Sequence, residues 1–209
     1  MNITGTDITN ALTRAAHRLA AMRDELNTLD AAIGDGDSGI TAEKGANGLL
    51  EYLKANPPGP DLGKWLAQAG MAYNKAAPST MGALVATAFM RAGKEVMGKS
   101  ELSPDDLAKM FVAANLGIQE RGKAKPGDKT IVDALDPAAE AFQSAIASGQ
   151  SLEQAGQAAL EAARKGRDAA IPLRSMIGRA NWVGGTEGKV DPGTVLFVGV
   201  LEAITVGSE

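Results

Sequence analysis

Ser103-Pro104-Asp105-Asp106-Leu107-Ala108-Lys109-Met110-Phe111-Val112-Ala113-Ala114-Asn115-Leu116-Gly117-Ile118 carries the plainest structural signal in the chain. A serine suits the cap position of a helix, and the proline after it brings a backbone angle already set for the first helical residue. Asp106 stands three residues after the serine, where an acidic group favours a helix start. Leu107, Met110, Phe111, Ala114 and Ile118 then recur at helical spacing, so one face is apolar.

The same pattern extends in both directions. Asp7–Asn27 aligns Ile8, Leu12, Leu19, Met22 and Leu26 on one face, and Ile40–Lys54 follows with Leu49, Leu50 and Leu53. Asn56-Pro57-Pro58-Gly59-Pro60 breaks the chain, after which Asp61 caps a short helix through Trp65, Leu66 and Met71. Thr80–Glu95 is alanine-rich and apolar, as a buried helix would be. Beyond Ile118, a helix passes through Ile131, Leu135, Ala138, Phe142 and Ile146, and another covers Leu152–Lys165. Asp191-Pro192 opens the last, Thr194–Thr205, although Val195-Leu196-Phe197-Val198 taken alone could form a strand. Eight helices with little strand predict an all-α bundle formed by one domain, residues 1–209. Ile171–Val190 has four glycines and no clear period, and a loop of that length is often functional.

Composition narrows the chemistry. The 209 residues include no cysteine and one histidine, His17. That excludes disulfides, thiolate zinc sites, iron–sulfur clusters, thiol catalysis and any centre needing two histidines. A net charge of −4 argues against nucleic-acid binding driven by overall positive charge. The Met1 end shows no apolar signal segment, and the longest apolar runs are too short to span a bilayer. The expectation is a soluble cytoplasmic protein with neither nucleic acid nor membrane as partner.

Two motif matches fail on context. Gly93-Lys94-Glu95-Val96-Met97-Gly98-Lys99-Ser100 fits the phosphate-loop pattern letter for letter, but that loop needs a strand before it and a helix at the lysine. Here the preceding segment is helical and the next helix starts at Ser103, so the stretch reads as a helix end with a solvated lysine. Gly34-Asp35-Gly36-Asp37-Ser38-Gly39 fits the dinucleotide fingerprint, yet its two carboxylates would repel a pyrophosphate unless a cation stood between them.

That exception gives the loop its interest. Asp30, Asp35 and Asp37 form a D-x4-D-x-D pattern whose glycines allow a tight turn. Three carboxylates without histidine or cysteine suit a hard, oxygen-seeking ion, Mg²⁺ before others. The alternative is a solvated acidic turn at the start of the next helix. Polar clusters at Ser79–Gly82, Lys125–Thr130 and Asp191–Thr194 also precede helices, where free N–H groups can hold an anion or merely be capped.

Taken in order, these segments resemble the nucleotide-binding L subunit, or DAK2-type domain, of dihydroxyacetone kinases. The resemblance runs through Asp30 with Ile33-Gly34-Asp35-Gly36-Asp37-Ser38-Gly39, then Gly127-Asp128-Lys129-Thr130-Ile131-Val132-Asp133-Ala134-Leu135 with Pro137-Ala138-Ala139. It continues through Gly178-Arg179-Ala180-Asn181-Trp182 and Asp191-Pro192-Gly193. It implies a barrel of eight antiparallel helices with a nucleotide site in the loops at one end. By position, Asp30, Asp35 and Asp37 would hold Mg²⁺, as two ions. Ser38, Gly39, Thr41, Ser79, Thr80, Gly122, Thr130, Arg179, Asp191, Pro192 and Gly193 would line ADP or ATP. The activity implied is phosphoryl transfer to dihydroxyacetone or a similar short ketose held by a separate substrate-binding K-type subunit, so this chain would be half of a kinase. The implied donor is either free ATP or a phosphotransferase-system protein that recharges retained ADP, and a homodimer is a further expectation. Ser38 stands where many phosphotransferase-linked L subunits have histidine, which leans toward exchange of free ATP. Met81 replaces a usual small hydroxyl residue. A nucleotide-sensing regulatory module and a paralogous kinase subunit for another small sugar are the other readings.

Overall fold

The computed structural model describes residues 2–205, and the expected domain 1–209 extends past them at both ends. The chain starts with a two-residue strand β1 (Ile3–Thr4) and then forms helices α1 (Gly5–Ala21), α2 (Arg23–Ile33), α3 (Ser38–Ala55), α4 (Leu62–Ala76) and α5 (Thr80–Glu95). A second short strand, β2 (Glu101–Leu102), pairs antiparallel with β1. Five further helices follow: α6 (Pro104–Gly122), α7 (Val132–Ala147), α8 (Leu152–Ala170), the single turn α9 (Ala180–Val183) and α10 (Pro192–Thr205).

The long helices pack in a closed ring. In sequence order α3, α4, α5, α6, α7, α8 and α10 each lie against the next, and α1 closes the circle between α10 and α3. Short connections make sequential neighbours antiparallel as far as α8, and α10 is antiparallel to α8 across the long loop, with Gly156 against Thr205 and Arg164 bonded to Glu202. Closure is antiparallel too: Arg14 of α1 donates to the carbonyl of Ala203, while Met22 after α1 meets Gly199 nearer the start of α10. Counting α1 with its continuation α2 as one member, this is the eight-helix antiparallel barrel.

Alternation places the connections at two ends. One end holds the starts of α1, α4, α6 and α8, and each start is capped from its own sequence. Thr4, Ser103 and Ser151 form reciprocal capping boxes with Asp7, Asp106 and Gln154, and Asp61 accepts from the N–H of Lys64. The starts of α3, α5, α7 and α10 gather at the other end with the long loop 171–190.

Small residues let the helices approach closely. Gly63 of α4 and Gly93 of α5 face each other so closely that a methyl group on either would collide with the other's carbonyl. Ala134, Ala138, Ala155, Ala159 and Ala163 are buried between α7 and α8, with Phe142 and Leu160 filling the wider gaps. The larger cluster joins Leu26, Leu49, Trp65, Leu66 and Tyr73 in the other half of the barrel. Burying a large apolar side chain of this kind contributes about 1.5–3 kcal/mol.

Two local expectations are corrected, and α10 runs as a helix, as expected. The first helix is interrupted at Met22, whose N–H is shared between the carbonyls of Arg18 and Leu19, and it resumes as α2 to Ile33. Val195–Val198 is helical throughout, because α10 is enclosed by α1, α7 and α8 rather than paired in a sheet. Lys99 is not merely solvated: its ammonium lies 2.7 Å from Asp106 Oδ1. Among the described residues, no helix is long and apolar enough to cross a membrane.

Candidate functional site

The acidic loop is assembled by Asp30 on the last turn of α2. Its Oδ2 accepts the N–H groups of Asp37 at 3.0 Å and Ser38 at 3.1 Å, which folds the loop back on the helix that bears it. Gly36 makes the reversal at φ +78°, a backbone conformation disfavoured for residues with a Cβ. The result is that one carboxylate oxygen from each of Asp30, Asp35 and Asp37 lies within 4.8 Å of the others. Asp35 and Asp37 are exposed and Asp30 is half-buried. Three oxygen donors, free of nitrogen and sulfur, converging at the surface fit a hard divalent cation such as Mg²⁺. Arg179, from far along the chain, forms an ion pair with Asp35 through Nη1.

Ser38 and Gly39 begin α3 beside these carboxylates, yet the local donors are committed to α2. Asn27 Oδ1 accepts from Gly39 and Ile40 at 2.8 and 3.2 Å, and Ser38 Oγ donates to the carbonyl of Leu26 at 3.1 Å. Gly39 rests directly on the Arg23 carbonyl, where any side chain would collide. The N–H of Thr41 makes the first turn of the helix with Asp37. This start therefore offers a helix dipole and a rigid platform rather than unengaged N–H groups.

The other expected residues lie at the same end. Ser79 caps α5, accepting from Gly82 at 3.0 Å, and Thr80 is exposed beside it. Met81 turns toward the core, where its sulfur accepts from the Tyr73 hydroxyl at 3.9 Å, and burial pushes that phenol up to about 12. Gly122 ends α6 just before Lys123, which adopts the left-handed cap conformation. The turn into α7 is built on Asp133: its Oδ1 accepts from Gly127 at 2.6 Å and its Oδ2 from Thr130 at 2.7 Å. Asp191 accepts from Thr194 at 2.8 Å to start α10, with Pro192 in the first turn and Gly193 against Ile131. Enclosure by its neighbours pushes the Asp191 carboxyl up to about 7. The nearby Asp133 charge adds to this, while the Thr194 N–H and the Lys129 ammonium oppose it.

Four participants were not singled out from sequence. Lys129 is 2% exposed and donates to the carbonyls of Ile171, Leu173 and Thr186 at 2.8, 2.9 and 2.6 Å. Lys189 donates to the Ala32 carbonyl at 2.8 Å, joining the long loop to the end of α2. Asn27 and Asp133 order the starts of α3 and α7. Lys129 stood inside a quoted signature, but nothing local in the sequence says that its ammonium turns inward. The stretch Gly93–Ser100 sits at the opposite end, with the Gly98 N–H held by Asp61 at 2.9 Å, so it contributes nothing here.

Comparison with known proteins gives a consistent result. A model of the DAK2 domain matches residues 32–206. The chain is 29% identical, over the whole of both sequences, to the protein of Escherichia coli K12 described as PEP-dependent dihydroxyacetone kinase, ADP-binding subunit DhaL. It is 34% identical over 93% of its length to the L-erythrulose kinase of Pectobacterium atrosepticum, of which it spans 33%. The solved dihydroxyacetone kinase of C. freundii in complex with AMP-PNP and Mg²⁺ superposes with a TM-score of 0.72 at 25% identity. That match covers 96% of this chain and 33% of the other.

Proposed function

Because the chain belongs to the DAK2 domain family, we propose that it is the nucleotide-binding component of a kinase. In this reading it holds ADP or ATP through Mg²⁺ and passes a phosphoryl group to dihydroxyacetone or a similar short ketose. The observation that carries the reading is the convergence of Asp30, Asp35 and Asp37 within 4.8 Å at the end of the barrel where four helix starts meet. Bound there as one or two ions, Mg²⁺ would supply the positive charge that neutralises phosphate oxygens during transfer.

The protein's own part is positioning. The two N–H groups donated to Asp30 fix the orientation of its carboxylate before any ligand arrives. Arg179 brings a planar guanidinium, suited to phosphate oxygens, to the edge of the acidic loop. Ser79, Thr80, Gly122, Thr130, Asp191, Pro192 and Gly193 surround the same end and would line the nucleotide. No histidine, cysteine or activated hydroxyl stands among these groups, which fits a component that binds the donor while a separate substrate-binding subunit holds the acceptor. Similarity to a protein described as an ADP-binding subunit supports that division of labour. Ser38 donates inward to Leu26, so it is not presented as a phosphate carrier. Similarity to a PEP-dependent subunit favours retained ADP, whereas Ser38 in place of histidine favours exchange with free ATP. Dialysis of the ADP-loaded protein separates these two versions.

Titration calorimetry with Mg²⁺ and ADP tests the site. The native chain should bind, and the Asp35→Ala/Asp37→Ala variant should bind at least tenfold more weakly. Equal binding by both would overturn the metal-bridged reading. Ketose phosphorylation from ATP should require an added substrate-binding subunit, and robust turnover by this chain alone would contradict the half-kinase assignment.

A further inference from the structure

The long loop 171–190 brings Arg179 to Asp35, yet its only helix is one turn, too short to hold the arginine in place by itself. What organises the loop is a single buried cation. An ammonium has three donors, and Lys129 gives them to three loop carbonyls: Ile171 and Leu173 on the outgoing limb, Thr186 on the returning limb. Lys129 also adopts φ +56°, uncommon for a residue with a side chain, which turns it away from the path of α7. Further bonds lie around this hub. The Ser175 N–H donates to Thr186 Oγ1 at 2.9 Å, the Gly188 N–H to Ile171 O at 2.9 Å, and the Met176 N–H to Asp128 O at 3.0 Å.

We propose that Lys129 is the positioning residue of this loop: its buried ammonium clamps the two limbs and so sets where Arg179 stands over the acidic loop. Burying a charge is unfavourable unless every donor is satisfied, and here every one is. Asp191, Glu187 and Asp133 lie near enough to favour the charged form, which offsets part of the desolvation. An uncharged side chain of similar length would remove the ammonium that joins the two limbs. Leu173 O would lose its donor, and Ile171 O and Thr186 O would keep only the N–H groups of Gly188 and Lys189 on the returning limb, so the loop would open to water. Lys129 acts through Arg179 and touches neither nucleotide nor metal. The proposal rests on the nucleotide-binding reading only for its effect on affinity, not for its effect on the loop.

Hydrogen exchange tests the clamp directly. In Lys129→Met the amides of Ser175, Met176 and Gly188 should exchange at least about tenfold faster, while those of α4 and α8 are unchanged. Unchanged loop exchange, or equal acceleration throughout the barrel, would overturn the proposal. Should Lys129→Met fail to fold, the native protein gives the answer. Its three loop amides should show protection factors within about threefold of one another, as one cooperative unit does, and a spread of two orders of magnitude would overturn it. A double-mutant cycle then tests the route through Arg179. Lys129→Met should weaken Mg²⁺–ADP binding at least about tenfold in the native background and less than twofold in Arg179→Ala. Equal effects in both backgrounds would refute it. Absence of Mg²⁺–ADP binding by the native chain would instead refute the nucleotide-binding reading, leaving the exchange result to decide the clamp.

Discussion

Replacing Asp37 with asparagine separates the two tasks that the acidic loop combines. Asp37 is exposed and makes no side-chain cap hydrogen bond at the start of α3, so the folded chain loses no bond with its charge. What it loses is repulsion. Carboxylate oxygens within 4.8 Å repel by about 1 kcal/mol in a water-like dielectric, and salt reduces this further. Without ligand, Asp37→Asn should therefore melt at the native temperature or a few degrees above it. Asp30→Ala should behave oppositely, because it removes the acceptor of two N–H groups at 3.0 and 3.1 Å. That change should cost about 1–3 kcal/mol and lower the melting temperature by roughly 3–10 °C in a chain of this size. Ligand reverses the ranking. At a concentration of Mg²⁺–ADP a hundredfold above the native dissociation constant, the native protein should gain about 2.7 kcal/mol. If losing one carboxylate weakens binding tenfold, Asp37→Asn gains only about 1.4 kcal/mol at that concentration, a deficit of roughly 3–5 °C. Thermal melts with and without Mg²⁺–ADP read all four values. Equal ligand stabilisation of Asp37→Asn and native protein, or an unchanged ligand-free melt for Asp30→Ala, would refute the reasoning.

Two other outcomes follow from the geometry. Lys99→Met should leave nucleotide affinity unchanged in calorimetry and reduce stability by no more than about 1 kcal/mol, because Lys99 makes a partly exposed ion pair with Asp106 away from the site. Asp191 should make stability fall as pH rises from about 4 to 7 and level off above that. The folded chain retains its proton up to about pH 7, whereas the unfolded chain releases it near 3.8. Asp191→Asn keeps a side chain able to cap α10 and should flatten that slope in melts recorded across the range.

The helices that could be read from sequence are those whose signals are local. Ser103-Pro104 with Asp106 predicts a helix start because its partners lie three residues apart, and the folded chain has that capping box. The break at Met22 escapes such reading, since Leu19, Met22 and Leu26 all belong to one buried cluster on either side of it. The site divides in the same way. The convergence of Asp30, Asp35 and Asp37 is legible because seven residues and two glycines leave few other ways to fold. The inward turn of Lys129 is not, because its acceptors lie 42 to 57 residues away. The Asn27 bonds that occupy the start of α3 are likewise set by how α2 meets α3 rather than by either segment alone.

The four capped starts at one end of the barrel bear on how the molecule can move and change. Thr4, Asp61, Ser103 and Ser151 secure their own helices with partners three residues away, so that end carries its own instructions. The opposite end depends on reach: Arg179 to Asp35, Lys129 to Thr186, Lys189 to Ala32. Bonds of the second kind can be released together, as one local unit, while the ring of helices stays closed. A guest could thus enter and leave through a local opening, and the mouth of the barrel is free to diversify over a base that does not need to be rebuilt.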